Sequence, residues 1–179
     1  MRVHLERYDR QMRIPGWDQS KLRKARVFIA GMGALGNEVA KNLALSGVGC
    51  LMIADFDRVE HTNLNRAVLF SAKDVGAQKV VAASRSIHRL NPSIKVTAFN
   101  RTLQDLLKRQ PRMLRNVTLL IGCLDNREAR FLLNHMSVYN RTPYVDGGMF
   151  NAMGSVRVSI PPYTPCLECG IPKSVYAQV

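Results

Sequence analysis

The six residues Gly31-Met32-Gly33-Ala34-Leu35-Gly36 form a glycine-rich turn that directly follows the apolar run Val27-Phe28-Ile29-Ala30. Glycines let a backbone turn sharply and approach a phosphate, and the amides that open the following helix favour negative charge. A second apolar run, Cys50-Leu51-Met52-Ile53-Ala54, ends in Asp55-Phe56-Asp57. A carboxylate at such a strand end accepts hydrogen bonds from ribose hydroxyls, which is the role expected of Asp55. Asp57 beside it is expected at the nucleotide, as a structural residue or a metal contact. Asn63, Arg66 and Lys79 follow, and Arg7-Tyr8-Asp9-Arg10-Gln11 precedes the turn. A dinucleotide site for hydride transfer needs few such cations. A triphosphate does need them, because its charge repels an attacking carboxylate and must be offset in the transition state. The pattern implies ATP.

Two further groups are chemically competent. Leu124-Asp125-Asn126-Arg127 follows another apolar run. Asp125 there either holds Mg²⁺, which binds through one or two carboxylates plus phosphates, or caps the next helix. Cys166 and Cys169 form a CxxC pair, spaced as half of a tetrahedral zinc site. A catalytic thiol is the other reading of this pair, although no paired histidine base is evident in the sequence around it. Cys50 and Cys123 lie within apolar runs and are expected to pack as small core residues.

The elements that must position these residues can be read from periodicity. Strands are expected at residues 27–30, 50–54, 95–99, 117–123, 143–146 and 155–160, the last alternating as a half-exposed strand. Helices are expected at 34–46, 76–90, 103–114 and 127–139, with a short one capped by Asp18 and running to about Ala25. Gly47 ends the first long helix, Asn91-Pro92 ends the second, and Pro111 interrupts the third. This alternation specifies an α/β fold: a Rossmann-like, mostly parallel sheet with helices on both faces. Its ligand belongs outside the carboxyl ends of the strands, where Gly31, Asp55, Asp125 and Asn126 all fall. Residues 1–26 read as an N-terminal helical arm, 27–160 as the nucleotide-binding domain, and 161–179 as the CxxC knuckle and the start of a crossover segment.

Composition narrows the class. A 179-residue chain with 46% hydrophobic content supports one good core. The net charge of +13, from 26 basic and 13 acidic residues, either attracts an anionic partner or solubilises the surface. No module with aromatic stacking positions is present, so nucleic acid is not the expected partner. No apolar run reaches the roughly 18 residues that span a bilayer, and the N-terminus lacks the apolar stretch of a signal peptide. A cytoplasmic location without membrane contact is expected.

Taken in order, Arg7-Tyr8-Asp9-Arg10-Gln11, the turn from Gly31 to Gly36, Asp55-Phe56-Asp57 with Asn63-Leu64-Asn65-Arg66, Gln78-Lys79-Val80, Asp125-Asn126 and Cys166-Leu167-Glu168-Cys169 resemble the ThiF/MoeB/HesA family. That family includes the adenylation domains of ubiquitin-activating enzymes. The match runs from about Arg7 to Cys169. The resemblance implies ATP- and Mg²⁺-dependent adenylation of the C-terminal glycine carboxylate of a small β-grasp protein, a ubiquitin-like modifier or sulfur carrier ending in Gly-Gly, with release of pyrophosphate. It implies that the turn around Gly33 and Ala34 lies under the phosphates and that Asp55 holds ribose. Asn63, Arg66 and Lys79 would contact the phosphates, Asp125 would position Mg²⁺, and Asn126 would neighbour it. Arg10 would reach into the site of a second subunit, so a two-fold homodimer is expected.

In this family a second CxxC near the C-terminus completes a Zn²⁺ site. No cysteine or histidine follows Cys169 here, and the last strand and helices of the family fold, with the segment that carries a thioester-forming cysteine, are missing. The expectation is a fragment, a companion polypeptide that supplies the remainder, or a degenerate pair that binds nothing. Competing functions are adenylation of a tRNA base or small molecule, an inactive scaffold half of a heterodimer, and, more distantly, an NAD-dependent dehydrogenase.

Overall fold

A computed structural model describes residues 6–170. The parts of the expected N-terminal arm and crossover segment at residues 1–5 and 171–179 lie outside the described residues. Short helices α1 (Asp9–Met12) and α2 (Gln19–Lys24) lead into β1 (Arg26–Ala30), α3 (Ala34–Ser46), β2 (Cys50–Ala54), α4 (Lys79–Leu90), β3 (Lys95–Phe99), α5 (Leu103–Arg109), β4 (Leu119–Gly122), α6 (Arg127–Asn140), β5 (Tyr144–Phe150) and β6 (Met153–Ser159). The six strands form one sheet in the order β3-β2-β1-β4-β5-β6. All neighbours pair in parallel except β5 and β6, which run antiparallel.

Side chains alternate across a strand, so each central strand feeds two cores. Val27 and Ile29 of β1, with Leu51 and Ile53 of β2, face α3 and α4 and pack on Ala40, Ala44, Val80, Ala83 and Ile87. Phe28 and Ala30, with Met52 and Ala54, face the other way onto Leu103, Leu106 and Leu107 of α5 and Leu133 of α6. The continuous apolar runs of β1 and β2 follow from burial on both faces. The strand order reverses direction between β1 and β4, and the cleft described below opens there.

Several boundaries move for local reasons. The helix expected from residue 76 begins at Lys79, because Gly76 takes a φ of 84° and Arg58 pairs with Gln78 as an isolated bridge. The helix expected to reach about Leu114 stops at Arg109, since the residue before Pro111 is pushed out of helical geometry; Gln110 sits at φ −134° and ψ 66°. β4 starts at Leu119, and β5 continues past Asp146 to Phe150, where it forms a hairpin with β6. β6 is exposed along nearly its whole length rather than half-exposed. Asp18 caps α2 by accepting from the amides of Ser20 and Lys21, and Gly47 closes α3 in the left-handed conformation, both as expected. No helix among the described residues is long and apolar enough to cross a membrane.

The N-terminal segment is pinned far from the open edge of the sheet. The buried Tyr8 hydroxyl accepts from Asn91 Nδ2 at 2.6 Å, and Gln11 Nε2 donates to the carbonyl of Ser46 at the last turn of α3. Phe28 sits fully buried on the central strand between the two layers. Replacing it with Ala is expected to lower unfolding free energy by about 3–5 kcal/mol, read as a shifted urea midpoint with an unchanged slope.

Candidate nucleotide site

The glycine turn is held from three sides. Gly31 adopts a φ of 92°, and a Cβ there would collide with the carbonyl of Cys123 at the end of β4. A Cβ on Gly36 would collide with the Gly31 carbonyl, so Gly36 shapes the turn instead of facing outward. Gly33 caps α3 with open space where a Cβ would project, which leaves the backbone accessible. Asn37, fully buried on α3, donates to the carbonyls of Met32 (2.8 Å) and Gly33 (3.0 Å) and accepts from the amide of Leu69 (2.9 Å). That asparagine lies one turn beyond Gly33 on the same helix, but nothing in an apolar stripe marks it.

Asp55 links the turn to the second strand. Its Oδ2 accepts from the Met32 amide at 2.7 Å, and its Oδ1 accepts from the Asp57 amide at 2.8 Å. Burial raises its carboxyl above the ordinary range, opposed by these two amides and by the charge of Lys79. Each oxygen retains lone-pair capacity for a ligand hydroxyl.

A cleft of about 590 Å³ opens beside the turn, lined by Gly31, Gly33, Ala34, Asp55, Asp57, Lys79, Asp125 and Asn126 among others. Eight expected residues thus meet in one cavity. Residues that the sequence left unassigned also line it: Phe56, with 60% of its surface exposed, and Arg101, Thr102, Gln104, Arg130 and Met149. Helices α3, α4, α5 and α6 all begin there, at Ala34, Lys79, Leu103 and Arg127. The dipoles of these helices, and the first-turn amides that no cap takes, make the cleft attractive to anions. Lys79 opens α4, where the helix dipole disfavours a cation; its side chain is only 12% exposed, and Nζ pairs with Asp57 Oδ2 at 2.7 Å.

Asn63, Arg66 and Arg10 are not part of the cleft. Asn63 Oδ1 accepts from the Glu60 amide at 3.0 Å in a capping box on a 3₁₀ turn (His61–Asn63). Arg66 is exposed and donates to the Thr62 carbonyl at 2.8 Å and to Asn65 Oδ1 at 3.0 Å, both within its own loop. Arg10 lies on α1, beside the C-terminal end of α3. The 13 residues of α3 place that end roughly 20 Å from the cleft at 1.5 Å per residue. Arg10 therefore cannot serve the cleft of its own chain.

The wall opposite Asp55 is built around α6. Asn126, not Asp125, caps this helix, with its side chain accepting from the Ala129 amide at 2.8 Å. Asp125 is thus left facing the cleft, with a long contact of 3.5 Å from Asn126 Nδ2. One turn on, Arg130 donates through Nη1 to Asp146 Oδ2 at 2.6 Å and through Nη2 to the Leu124 carbonyl. Buried Asp146 also accepts from the Tyr144 hydroxyl at 2.7 Å. Cys123 is half-buried: it packs against the core, as expected, and it also lines the cleft. Burial first, and the Asp146 charge second, push its thiol up to about 12, so it is not a nucleophile at neutral pH.

One more turn along α6, the buried Asn134 grips the CxxC knuckle. Its Nδ2 donates to Glu168 Oε1 at 2.9 Å, and its Oδ1 accepts from the Leu167 amide at 3.0 Å. Asn126, Arg130 and Asn134 are four residues apart and share one face of the helix. Cys166 Sγ and Cys169 Sγ lie 3.3 Å apart. Burial of Cys166 favours its neutral form, but hydrogen bonds from Cys169, Asn134 and the amides of Glu168 and Cys169 outweigh that and lower its pKa. Among the described residues no group of three or more His, Cys, Asp or Glu could hold a metal ion, so the expected zinc site has no metal-binding group there.

Known proteins resemble this chain in sequence and fold. The chain is 35% identical over 163 residues to ubiquitin-like modifier-activating enzyme 1 of Homo sapiens, covering 87% of this chain and 15% of that protein. It is 35% identical to a sulfur carrier protein adenylyltransferase of Thermus thermophilus, covering 94% of this chain and 65% of the relative. A crystal structure of E. coli MccB with AMPCPP and MccA superposes with a TM-score of 0.83 at 30% identity, over 96% of this chain and 53% of that one. The chain therefore spans only part of the length of these relatives. The ThiF family model matches residues 8–178, and the chain belongs to the ThiF family.

Proposed function

We propose that this chain carries the nucleotide-binding part of an enzyme that adenylates the C-terminal carboxylate of a small carrier protein. The observation that supports this most is the meeting, in one cleft, of the glycine turn, Asp55, Lys79 and Asp125 with four helix N-termini. The likeness to adenylyltransferases that are named for ubiquitin-like and sulfur-carrier proteins points to the same chemistry.

In this reading ATP lies across the carboxyl ends of the strands. Asp55 accepts from the ribose hydroxyls, and the amides around Gly33 and Ala34 face the phosphates. Lys79, held ready by Asp57, stabilises the charge that develops as the carrier carboxylate attacks the α-phosphorus and pyrophosphate leaves. Asn63 and Arg66 would join only after Arg66 gives up the Thr62 carbonyl and Asn63 gives up the Glu60 amide. The donor set fits Mg²⁺: Asp125 would hold it with Asn126 alongside, and the ion would supply further positive charge to the polyphosphate. Arg10, turned away from its own cleft, fits service to a second subunit in a two-fold dimer. Zn²⁺ at Cys166 and Cys169 would brace the knuckle structurally and would need two more ligands, as from a companion polypeptide.

ATP–pyrophosphate exchange with a Gly-Gly-ended β-grasp protein tests the proposal directly. Exchange that requires the carrier supports it, and no exchange with any such carrier excludes it. Tight tRNA binding with a steep salt dependence, in place of exchange, would favour the base-adenylating alternative. Asp125→Ala and Lys79→Ala are each expected to reduce kcat/KM for exchange by about 100-fold or more while leaving the circular dichroism spectrum unchanged.

Asp55 gives the site a pH signature. Its carboxyl must be ionised to accept from ribose, and burial lifts it above the usual value of about 3.9. ATP affinity is therefore expected to weaken as pH falls through that elevated value, earlier than an ordinary aspartate would allow. Asp55→Asn is expected to bind ATP weakly with a flat profile. Equal pH profiles for the two proteins, by calorimetry, would remove Asp55 from ribose recognition.

A further inference from the structure

Arg130 has no place in the glycine turn or among the expected phosphate ligands, yet separate parts of the fold are shaped around it. Its fork spans two elements, with Nη1 on Asp146 of β5 and Nη2 on the carbonyl of Leu124, the residue before Asp125. Asp146 is buried and anchored in turn by the Tyr144 hydroxyl. A Cβ on Gly148 would lie 2.8 Å from Arg130 Nη1, and a Cβ on Gly122 would lie 2.9 Å from Asp146 Oδ1. Both glycines leave room for this ion pair. Among the described residues Asp125 itself receives only the long contact from Asn126, so its own side chain does not fix where it points.

We propose that Arg130 is a positioning residue for Asp125. By holding the Leu124 carbonyl against a charge-anchored guanidinium, it fixes the backbone from which the Asp125 carboxylate meets a nucleotide-bound divalent cation. Only a planar fork reaches both partners at once; an ammonium head retains the charge for Asp146 but not the second geometry. The inference rests on the reading of Asp125 as the metal side of an ATP site.

The test is Mn²⁺ affinity, read by electron paramagnetic resonance in the presence of a non-hydrolysable ATP analogue, on the full-length protein. Arg130→Lys is expected to weaken Mn²⁺ binding at least tenfold, in the range typical for the loss of a residue that orients a metal ligand. Metal-free binding of the analogue and the melting temperature should stay close to wild type. Asp146→Asn, which keeps the shape of the anchor, should weaken Mn²⁺ binding in the same direction and give a second reading if Arg130→Lys folds poorly. A folded Arg130→Lys protein with wild-type Mn²⁺ affinity overturns the proposal, as does weakening of nucleotide binding equally with and without metal. Asp125→Ala separates the two levels. If it binds Mn²⁺ as wild type does, the reading of Asp125 itself fails. If it loses Mn²⁺ while Arg130→Lys does not, only the role of Arg130 fails.

Discussion

Parallel strand order imposes the constraint on which the rest of this structure depends. When β1, β2, β3 and β4 run the same way, every helix that returns the chain begins at the same edge of the sheet. Four helix N-termini are thereby stacked beside one cleft, each with amides that lack intrahelical partners. That edge would hold negative charge even without a single basic side chain. Lys79 and Arg130 then sit where the backbone alone disfavours a cation, and each is held by a carboxylate, Asp57 or Asp146. The cleft combines backbone dipoles with cations that its acids hold in place.

Two carboxylates act as joints. Asp55 joins the glycine turn to the end of β2 through two amides, so the loop and the strand end cannot shift independently. Asp146 does the same work on the other side through Arg130 and Tyr144. Both carry the cost of burial, and for Asp55 that cost is visible as a raised carboxyl.

Much of this was legible beforehand because it depends on local rules. The glycine turn, the runs of β1 and β2, the Asp18 cap and the Gly47 stop each follow from the chemistry of a few adjacent residues. The parallel sheet followed from alternation, and Asp55, Lys79 and Asp125 followed from their place at strand and helix ends. What was not legible depends on contacts across the fold. Asn37 and Asn134 look like polar residues on amphipathic helices, and only the tertiary structure brings Leu69 and the CxxC knuckle onto them. Arg130 belongs to a strongly basic sequence in which one arginine stands out from the others only by the burial of its partner. Arg66 and Asn63 were expected at the phosphates and are instead bonded within their loop, because a free side chain takes the nearest carbonyl or amide. Cys123 reads as core from its apolar neighbours and does pack there, but its second place, on the cleft wall, depends on the approach of β4 to the glycine turn.

The spacing along α6 has an evolutionary corollary. Asn126, Arg130 and Asn134 do their work only while they remain in phase on one stripe of the helix, and a single inserted or deleted residue would turn everything beyond it by about 100°. Within α6 no slack exists. Descendants of this chain are free to drift in composition along that helix, but its length between cleft and knuckle is frozen.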